Sequence, residues 1–323
     1  MRLLNYLFLF LSLITSVAVF GIPKNSPVAL NGKLQVVGTQ LSNEKGEAIA
    51  LHGTSLGWHN LWPRFYNKSA VEWLVKDWNI SIVRAAMGVA IEDNYLENPK
   101  FAMQCMTPVI DAAIKNGIYV IIDFHSHKKH TAEAKKFFTE MATKYGKCPN
   151  VLYEIWNEPD EFGWPEVKEY AQDLIQTIRA IDADNIILVG NPHWDQDLHK
   201  VAEDPIKGAT NILYTMHFYA ATHKKWLRNR TDDAISKGIP VFVSECAGME
   251  ASGDGFLDVD EWNSYVAWMK DRGISWVAWS VSDKNETCSM LLPRASSKGN
   301  WTADLLKPWG KLARESILKA NSK

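Results

Sequence analysis

Short, almost continuously apolar segments alternate with longer amphipathic segments along most of this chain. The apolar segments are rich in β-branched and aromatic residues, a pattern typical of strands that are covered on both faces. The eight predicted strands are 48–52, 81–87, 119–125, 151–159, 185–190, 211–219, 240–245 and 274–280. Apolar residues at helical spacing between them, with Pro and Gly as start and stop signals, predict helices. The predicted helices are 69–78, 99–116, 131–145, 165–181, 226–237, 260–272 and 308–320.

Strands that alternate with helices in this way predict a single-domain α/β fold, namely a (β/α)8 barrel of the TIM type over residues 22–323. A short hairpin over 32–46 is expected to close the floor of the barrel. A doubly wound open sheet is the alternative architecture, but it would not place a polar residue repeatedly at the carboxyl ends of strands. No linker, repeat or appended binding module stands out in the sequence.

Residues 1–21 have the pattern of a secretory signal peptide. They open with Met1-Arg2, continue as a nearly uncharged apolar run to Phe20, and end in small residues near a possible cleavage point. An uncleaved membrane anchor is the alternative, although no basic flank follows the run. We therefore expect an exported, extracellular protein without stable membrane association after cleavage.

Polar and aromatic side chains recur where the predicted strands end. In a (β/α)8 barrel the carboxyl ends of the strands together form the active face. Two of these residues are glutamates, Glu158 and Glu245, and two carboxylates facing each other across a glycosidic bond are the machinery of glycoside hydrolysis. The strand-end residues are Arg84, His125, Asn157, Glu158, His217, Tyr219, Glu245 and Trp279.

The stretch from Val151 to Pro159, Val-Leu-Tyr-Glu-Ile-Trp-Asn-Glu-Pro, resembles the signature of glycoside hydrolase family 5, and the resemblance to its endo-β-1,4-glucanases (cellulases) runs from about residue 34 to about residue 318. The resemblance implies hydrolysis with retention of configuration, Glu158 as the acid/base and Glu245 as the nucleophile. Those two roles require different charge states at one pH, so we expect Glu245 to be ionised and Glu158 to be protonated in the resting enzyme.

The resemblance also implies supporting roles. Arg84 would hold the nucleophile and favour its ionised form, and Tyr219 would donate a hydrogen bond to it. His125 and His217 could suggest a metal pair, but no third ligand is spaced with them. The family uses the matching histidines to bind sugar hydroxyls and tune the glutamates. We therefore expect neither a metal nor another cofactor.

Other residues that resemble family positions would contact the sugar chain itself. Asn157 would bind the 2-hydroxyl, a contact that strengthens at the transition state, and Trp279 would form the platform under the sugar at the cleavage point. On the glycone side the matching residues are Trp58 or Trp62, Lys284 and Glu286. The chain departs from the family pattern at Phe124, Cys246 and Asn285, and these departures bear on fine specificity.

Composition narrows the function further. A formal net charge of −2 without a basic stripe argues against nucleic-acid binding. The fourteen tryptophans suit a core as well as stacking on sugar rings. Of the four cysteines, Cys246 and Cys288 would lie on neighbouring loops of a barrel, which favours a disulfide between them, whereas Cys105 and Cys148 are expected to be free.

These observations predict a secreted, monomeric endo-β-1,4-glucanase that acts on cellulose and related β-glucans. A β-mannanase, a xylanase or a mixed-linkage glucanase on the same barrel is the nearest alternative. A catalytically silent carbohydrate-binding barrel is a more distant one, because the tryptophans would suffice for it without the glutamates.

Overall fold

The computed structural model describes residues 23–322. Eight parallel strands close into a barrel, in which the last strand pairs with the first. The fold prediction is therefore confirmed. The barrel strands are β3 (His52–Leu56), β4 (Ile82–Gly88), β5 (Tyr119–His125), β6 (Val151–Glu154), β7 (Ile186–Val189), β8 (Ile212–Tyr219), β9 (Val241–Ala247) and β10 (Trp276–Val281). The predicted signal peptide lies outside the described residues, among which no helix is long and apolar enough to span a bilayer.

The helices pack around the barrel with bounds close to those predicted. α3 matches the predicted 99–116 because its ends carry strong local signals: Pro99 begins it, the Asn98 side chain accepts from the backbone N–H of Phe101, and Gly117 ends it at φ 69°. The helices are α1 (Pro27–Asn31), α2 (Lys68–Trp78), α3 (Pro99–Asn116), α4 (Thr131–Tyr145), α5 (Trp164–Arg179), α6 (Pro192–Asp195), α7 (Leu198–Glu203), α8 (Lys225–Ser236), α9 (Val259–Arg272), α10 (Pro308–Ala320) and a 3-10 turn (Pro63–Phe65).

The floor of the barrel is closed by a hairpin, as predicted. Strands β1 (Gln35–Val37) and β2 (Gln40–Ser42) pair antiparallel, and Leu34, just before β1, and Leu41, within β2, are buried. Both leucines belong to the same apolar cluster as the lowest interior side chains of the barrel, such as Tyr119 and Phe242. Because the floor is packed shut, the accessible end of the barrel is the one at the carboxyl ends of its strands.

The first barrel strand lies later than predicted. The sequence predicts it at 48–52, whereas the structure has β3 at His52–Leu56. The polar Thr54 and Ser55 made this segment resemble a loop, yet both are fully buried. Gly53 is required there, because a Cβ on it would lie 1.7 Å from the carbonyl oxygen of Ile82 on the neighbouring strand.

The segment after β7 departs from regular helical geometry, and its two short helices were not predicted. Within α6, His193, Trp194 and Asp195 have left-handed φ values of 62°, 53° and 60°. Such values are unfavourable for residues with a Cβ, and they persist only where surrounding contacts enforce them. Asp195 supplies these contacts, since its carboxylate accepts from the backbone N–H of Asn191 and from the Thr215 hydroxyl, at 2.6 and 2.5 Å.

Candidate active site

A cleft crosses the barrel at the carboxyl ends of its strands, with Glu158 and Tyr219 near its middle. The half of the cleft that we call the glycone side runs past Glu245 to Trp58, Trp62, Trp279, Lys284 and Glu286. The opposite half, the aglycone side, is walled by His127, Trp194, Gln196, His217, His223 and Ala251. The structure thus brings the sequence-predicted residues together in and directly beneath one cleft.

Beneath the cleft, the fully buried Arg84 of β4 connects several carboxylates. Its Nε donates to Glu154 at 2.6 Å, one terminal nitrogen donates to Glu245 Oε2 at 3.0 Å, and the other donates to Asn157 Oδ1 at 2.6 Å and lies 3.0 Å from Asp123. A guanidinium is suited to this position because its planar fork of donors satisfies several oxygens at once and always carries charge.

Glu245 lies at the end of β9 with both carboxylate oxygens engaged. Oε2 accepts from Arg84, and Oε1 accepts from the Tyr219 hydroxyl at 2.7 Å. Two donors from different strands fix the orientation of the carboxylate, as a nucleophile requires. An oxygen of Glu245, an oxygen of Glu158 and a ring nitrogen of His217 all lie within 4.8 Å of one another.

Glu158 is held by His217, and the surrounding network shows where protons reside. The Ser244 hydroxyl donates its single proton to Glu154 at 2.6 Å, so at 2.9 Å it must accept from His217 Nε2, which is therefore protonated. His217 Nδ1 lies 2.9 Å from Glu158 Oε1. A hydrogen bond at this distance needs one proton between the two atoms, so the Glu158–His217 pair holds the proton required for acid catalysis.

The pKa directions of the two glutamates are the reverse of those expected from the sequence. Burial raises the pKa of Glu158, but the hydrogen bond and charge of His217 outweigh burial and lower it below 4.5. Burial and the charge of Glu158 raise the pKa of Glu245 despite His217, Arg84 and Tyr219. The expectation that Glu158 itself carries the resting proton was therefore wrong. The physical reason is that His217, whose pKa is raised by surrounding carboxylates against the effect of burial, holds that proton instead.

His125, Trp279 and Asn157 lie around the pair in the positions the sequence predicted. His125 stacks on Trp279 with ring centroids 5.2 Å apart, and its Nδ1 is 2.7 Å from Asp123 Oδ2. The side-chain amide nitrogen of Asn157 is buried and has no hydrogen-bond partner among the described residues. Since a buried donor without a partner is unfavourable, this nitrogen is available for a hydroxyl of a bound ligand.

The glycone side contains all four residues whose placement was least certain from the sequence. The sequence left open whether Trp58 or Trp62 lies on the glycone side, and the structure places both there. Trp58 packs edge-on against His125 at 4.8 Å, and Trp62 packs against Gly57, where a Cβ would approach the ring to 2.5 Å. Lys284 pairs with Glu286 at 2.5 Å and remains more than half exposed.

The predicted disulfide between Cys246 and Cys288 is wrong, because both cysteines are free, as are Cys105 and Cys148. Successive side chains of a strand point to opposite faces. Glu245 points into the barrel, so Cys246 points outward, with its sulfur 3.4 Å from the carbonyl oxygen of Val277. Cys288 instead lines the glycone side of the cleft.

Several site residues were missed at the level of sequence. Asp123 and Glu154 are fully buried and contact Arg84, and a charged residue inside an apolar strand was the available signal. His127 points its Nδ1 at Glu158 Oε2 from 3.5 Å. Trp194, 40% exposed, and the buried Asp195 lie in the left-handed turn after β7, where no regular pattern marks them.

Three side chains at the centre of the site are close enough together to be considered as metal ligands. Glu158, His217 and Glu245 are close enough for a shared ion, but both ring nitrogens of His217 already form hydrogen bonds, to Glu158 and Ser244. The ring therefore offers no free lone pair for coordination, and the absence of a metal stays a prediction.

Comparison with known proteins agrees with this geometry. The family model "Cellulase (glycosyl hydrolase family 5)" matches residues 42–285. The chain is 42% identical over 292 residues to Endoglucanase Z of Dickeya dadantii, an alignment that covers 88% of this chain and 67% of that protein. A solved structure from Cytophaga hutchinsonii superimposes with a TM-score of 0.90 at 42% identity, covering 92% of this chain and 97% of the other.

A further solved structure is a variant of the catalytic domain of Thermobifida fusca endoglucanase in complex with cellotetraose. It has a TM-score of 0.85 and 34% identity, and the match covers 90% of this chain and 99% of that domain. Taken with the closed barrel and the two strand-end glutamates, these matches show that the chain belongs to the cellulases of glycosyl hydrolase family 5.

Proposed function

We propose that the protein is a secreted endo-β-1,4-glucanase that cleaves internal bonds of cellulose and related β-glucans by double displacement with retention. The observation that carries the mechanism is the separation of the two carboxylates, which have oxygens within 4.8 Å of each other. Retaining glycosidases hold their carboxyl groups about 5 Å apart, whereas inverting enzymes need about 6.5 Å or more to admit a water molecule.

In the first step, Glu245 attacks the anomeric carbon as the bond to the leaving oxygen breaks. The proton held by the Glu158–His217 pair moves to that oxygen through Glu158. When the proton passes from His217 onto Glu158, both charges of the pair disappear: that of Glu158, which raises the pKa of Glu245, and that of His217, which lowers it. Arg84 and Tyr219 then hold Glu245 in the ionised form required for attack.

In the second step, the same pair recovers its proton from water. The resulting hydroxide oxygen bonds to the anomeric carbon, the ester bond to Glu245 breaks, and one water molecule is consumed in the cycle. The Trp279 ring lines the cleft, and the buried Asn157 amide nitrogen beneath it has no partner among the described residues; we assign both to binding the sugar at the cleavage point during both steps.

Cleavage within a chain requires that the substrate extend past the glutamates in both directions. The cleft does so, since lining residues continue on the glycone side to Trp62 and Glu286 and on the aglycone side to Trp194 and His223. Secretion is supported by the pattern of residues 1–21.

The test is hydrolysis by purified residues 22–323 of carboxymethylcellulose, galactomannan, xylan and mixed-linkage glucan, followed by viscosity and by new reducing ends. We expect a fast fall in the viscosity of carboxymethylcellulose with few new ends. Preference for mannan or xylan would move the substrate while keeping the glutamate pair, and no turnover of any of the four would favour a binding protein.

A further inference from the structure

Trp226, in the first turn of α8, is an exposed aromatic side chain just beyond the aglycone side of the cleft. It is 43% exposed, although tryptophan is on average well buried. No step of the proposed mechanism uses it. Its position is set by two neighbours, one of which lines the cleft and the other of which is bonded to the loop that carries Trp194.

The first neighbour is His223, which lines the aglycone side with Glu158 and Trp194. Its ring centroid lies 5.9 Å from that of Trp226 in an edge-on arrangement. His223 is itself fixed, because its Nδ1 accepts from the backbone N–H of Tyr219 at 2.8 Å. The indole of Trp226 is therefore one side chain away from the wall of the cleft.

The second neighbour is Arg230, one helical turn along α8. Its guanidinium carbon lies 5.0 Å above the centroid of the Trp226 ring, and its Nη1 donates to the carbonyl oxygen of Gln196 and to Asp197 at 3.0 and 2.8 Å. Arg230 thus covers one face of the indole and connects it to the residues that follow Trp194. The exposed surface is left on the other face and the edge of the ring.

We propose that Trp226 forms an outer sugar-binding platform on the aglycone side, which binds a glucosyl unit of a β-1,4-glucan beyond the unit next to Trp194. This inference rests on the proposed function. A rigid indole with one face backed by a cation and the other open suits the apolar face of a pyranose ring. A substrate that extends past Trp194 and His223 reaches Trp226 next, so the contribution of this platform depends on chain length.

The experiment compares Trp226→Ala, Trp226→Tyr and, as a control, Lys225→Ala, which alters an exposed side chain in the same helical turn. Each variant is assayed on cellohexaose and on 4-nitrophenyl β-cellobioside, whose leaving group is too small to pass Trp194. We expect kcat/KM of Trp226→Ala to fall about two- to tenfold on cellohexaose and to stay unchanged on the aryl cellobioside. Trp226→Tyr should restore most of the loss, and Lys225→Ala should match the unaltered protein.

An equal loss on both substrates, or no loss on cellohexaose, would overturn the platform. Failure of the proposed function is seen separately, as absence of turnover by the unaltered protein. In that case calorimetric binding of cellohexaose to Glu245→Gln, with and without Trp226→Ala, still decides the inference: weaker binding on loss of the indole supports it, and unchanged binding contradicts it.

Discussion

Replacing Arg84 by Met tests the electrostatic arrangement beneath the cleft. Arg84 is fully buried, and its three guanidinium nitrogens contact Glu154, Glu245, Asp123 and the side-chain oxygen of Asn157. Met fills a similar volume without a charge. The substitution therefore leaves a buried group of carboxylates without their shared cation.

The magnitude follows from the penalty for an uncompensated buried charge. Removing one partner of a buried ion pair costs about 3–5 kcal/mol. We apply this figure once, because the carboxylates share one guanidinium and a proton can neutralise some of them. With an unfolding entropy of about 2.1 cal/mol/K per residue over roughly 300 residues, the melting temperature should fall by about 5–8 °C.

The loss should depend on pH in a defined direction. In the unaltered protein burial raises the pKa of Glu154, but Arg84 and His217 outweigh it and lower the pKa below 4.5. Glu154 then contributes stability above pH 4.5 that is lost as the pH falls. Without Arg84, burial raises this pKa, so stability is lost as the pH rises. The difference between the proteins should grow between about pH 4.5 and 7.

Thermal unfolding at several pH values measures this difference directly. The control is Arg314→Met, since Arg314 forms an ion pair with Asp77 at 2.8 Å in which both side chains are partly exposed. Such surface pairs contribute less than about 1 kcal/mol. Arg84→Lys, which keeps the charge but loses the fork, should fall between. A loss for Arg84→Met no larger than that of Arg314→Met, or one that shrinks as the pH rises, would refute the electrostatic reasoning.

Two further predictions concern the proton held by Glu158 and His217. Glu158→Ala should lose about 10²- to 10⁴-fold on carboxymethylcellulose but far less on 2,4-dinitrophenyl β-cellobioside, whose leaving group needs no acid; equal losses would remove Glu158 from the acid role. Asp195→Asn should shift the basic limb of the kcat/KM profile to lower pH. Burial raises the pKa of Asp195 to about 8, and its ionised form is the main group that raises the pKa of His217 against burial. A basic limb that stays in place would contradict this.

The fold was predictable where local signals and burial agree. Strand β5 and helix α3 have the predicted bounds, because a continuous apolar run marks the first and capping residues mark the second. The predicted bounds of β3 were wrong because this strand depends on a steric contact. Gly53 allows β4 to approach closely, and the spacing of apolar residues does not reveal that contact.

The candidate site was predictable in its members and less so in its charges. Strand ends and the family resemblance located Glu158 and Glu245, but the protonation order depends on Ser244 and Glu154, which fix the protonated nitrogen of His217. Those contacts join residues far apart in the sequence. Trp194 was missed for a related reason, since a left-handed turn stabilised by Asp195 has no sequence period.

The nucleophilic role of Glu245 is the central claim, and covalent trapping tests it most directly. The protein is incubated with 2,4-dinitrophenyl 2-deoxy-2-fluoro-β-cellobioside, digested and sequenced by mass spectrometry, with Glu245→Gln as the control. The account predicts one 2-fluorocellobiosyl group on Glu245 and none on the control. A label on Glu158, or hydrolysis that proceeds with inversion and without any label, would contradict it.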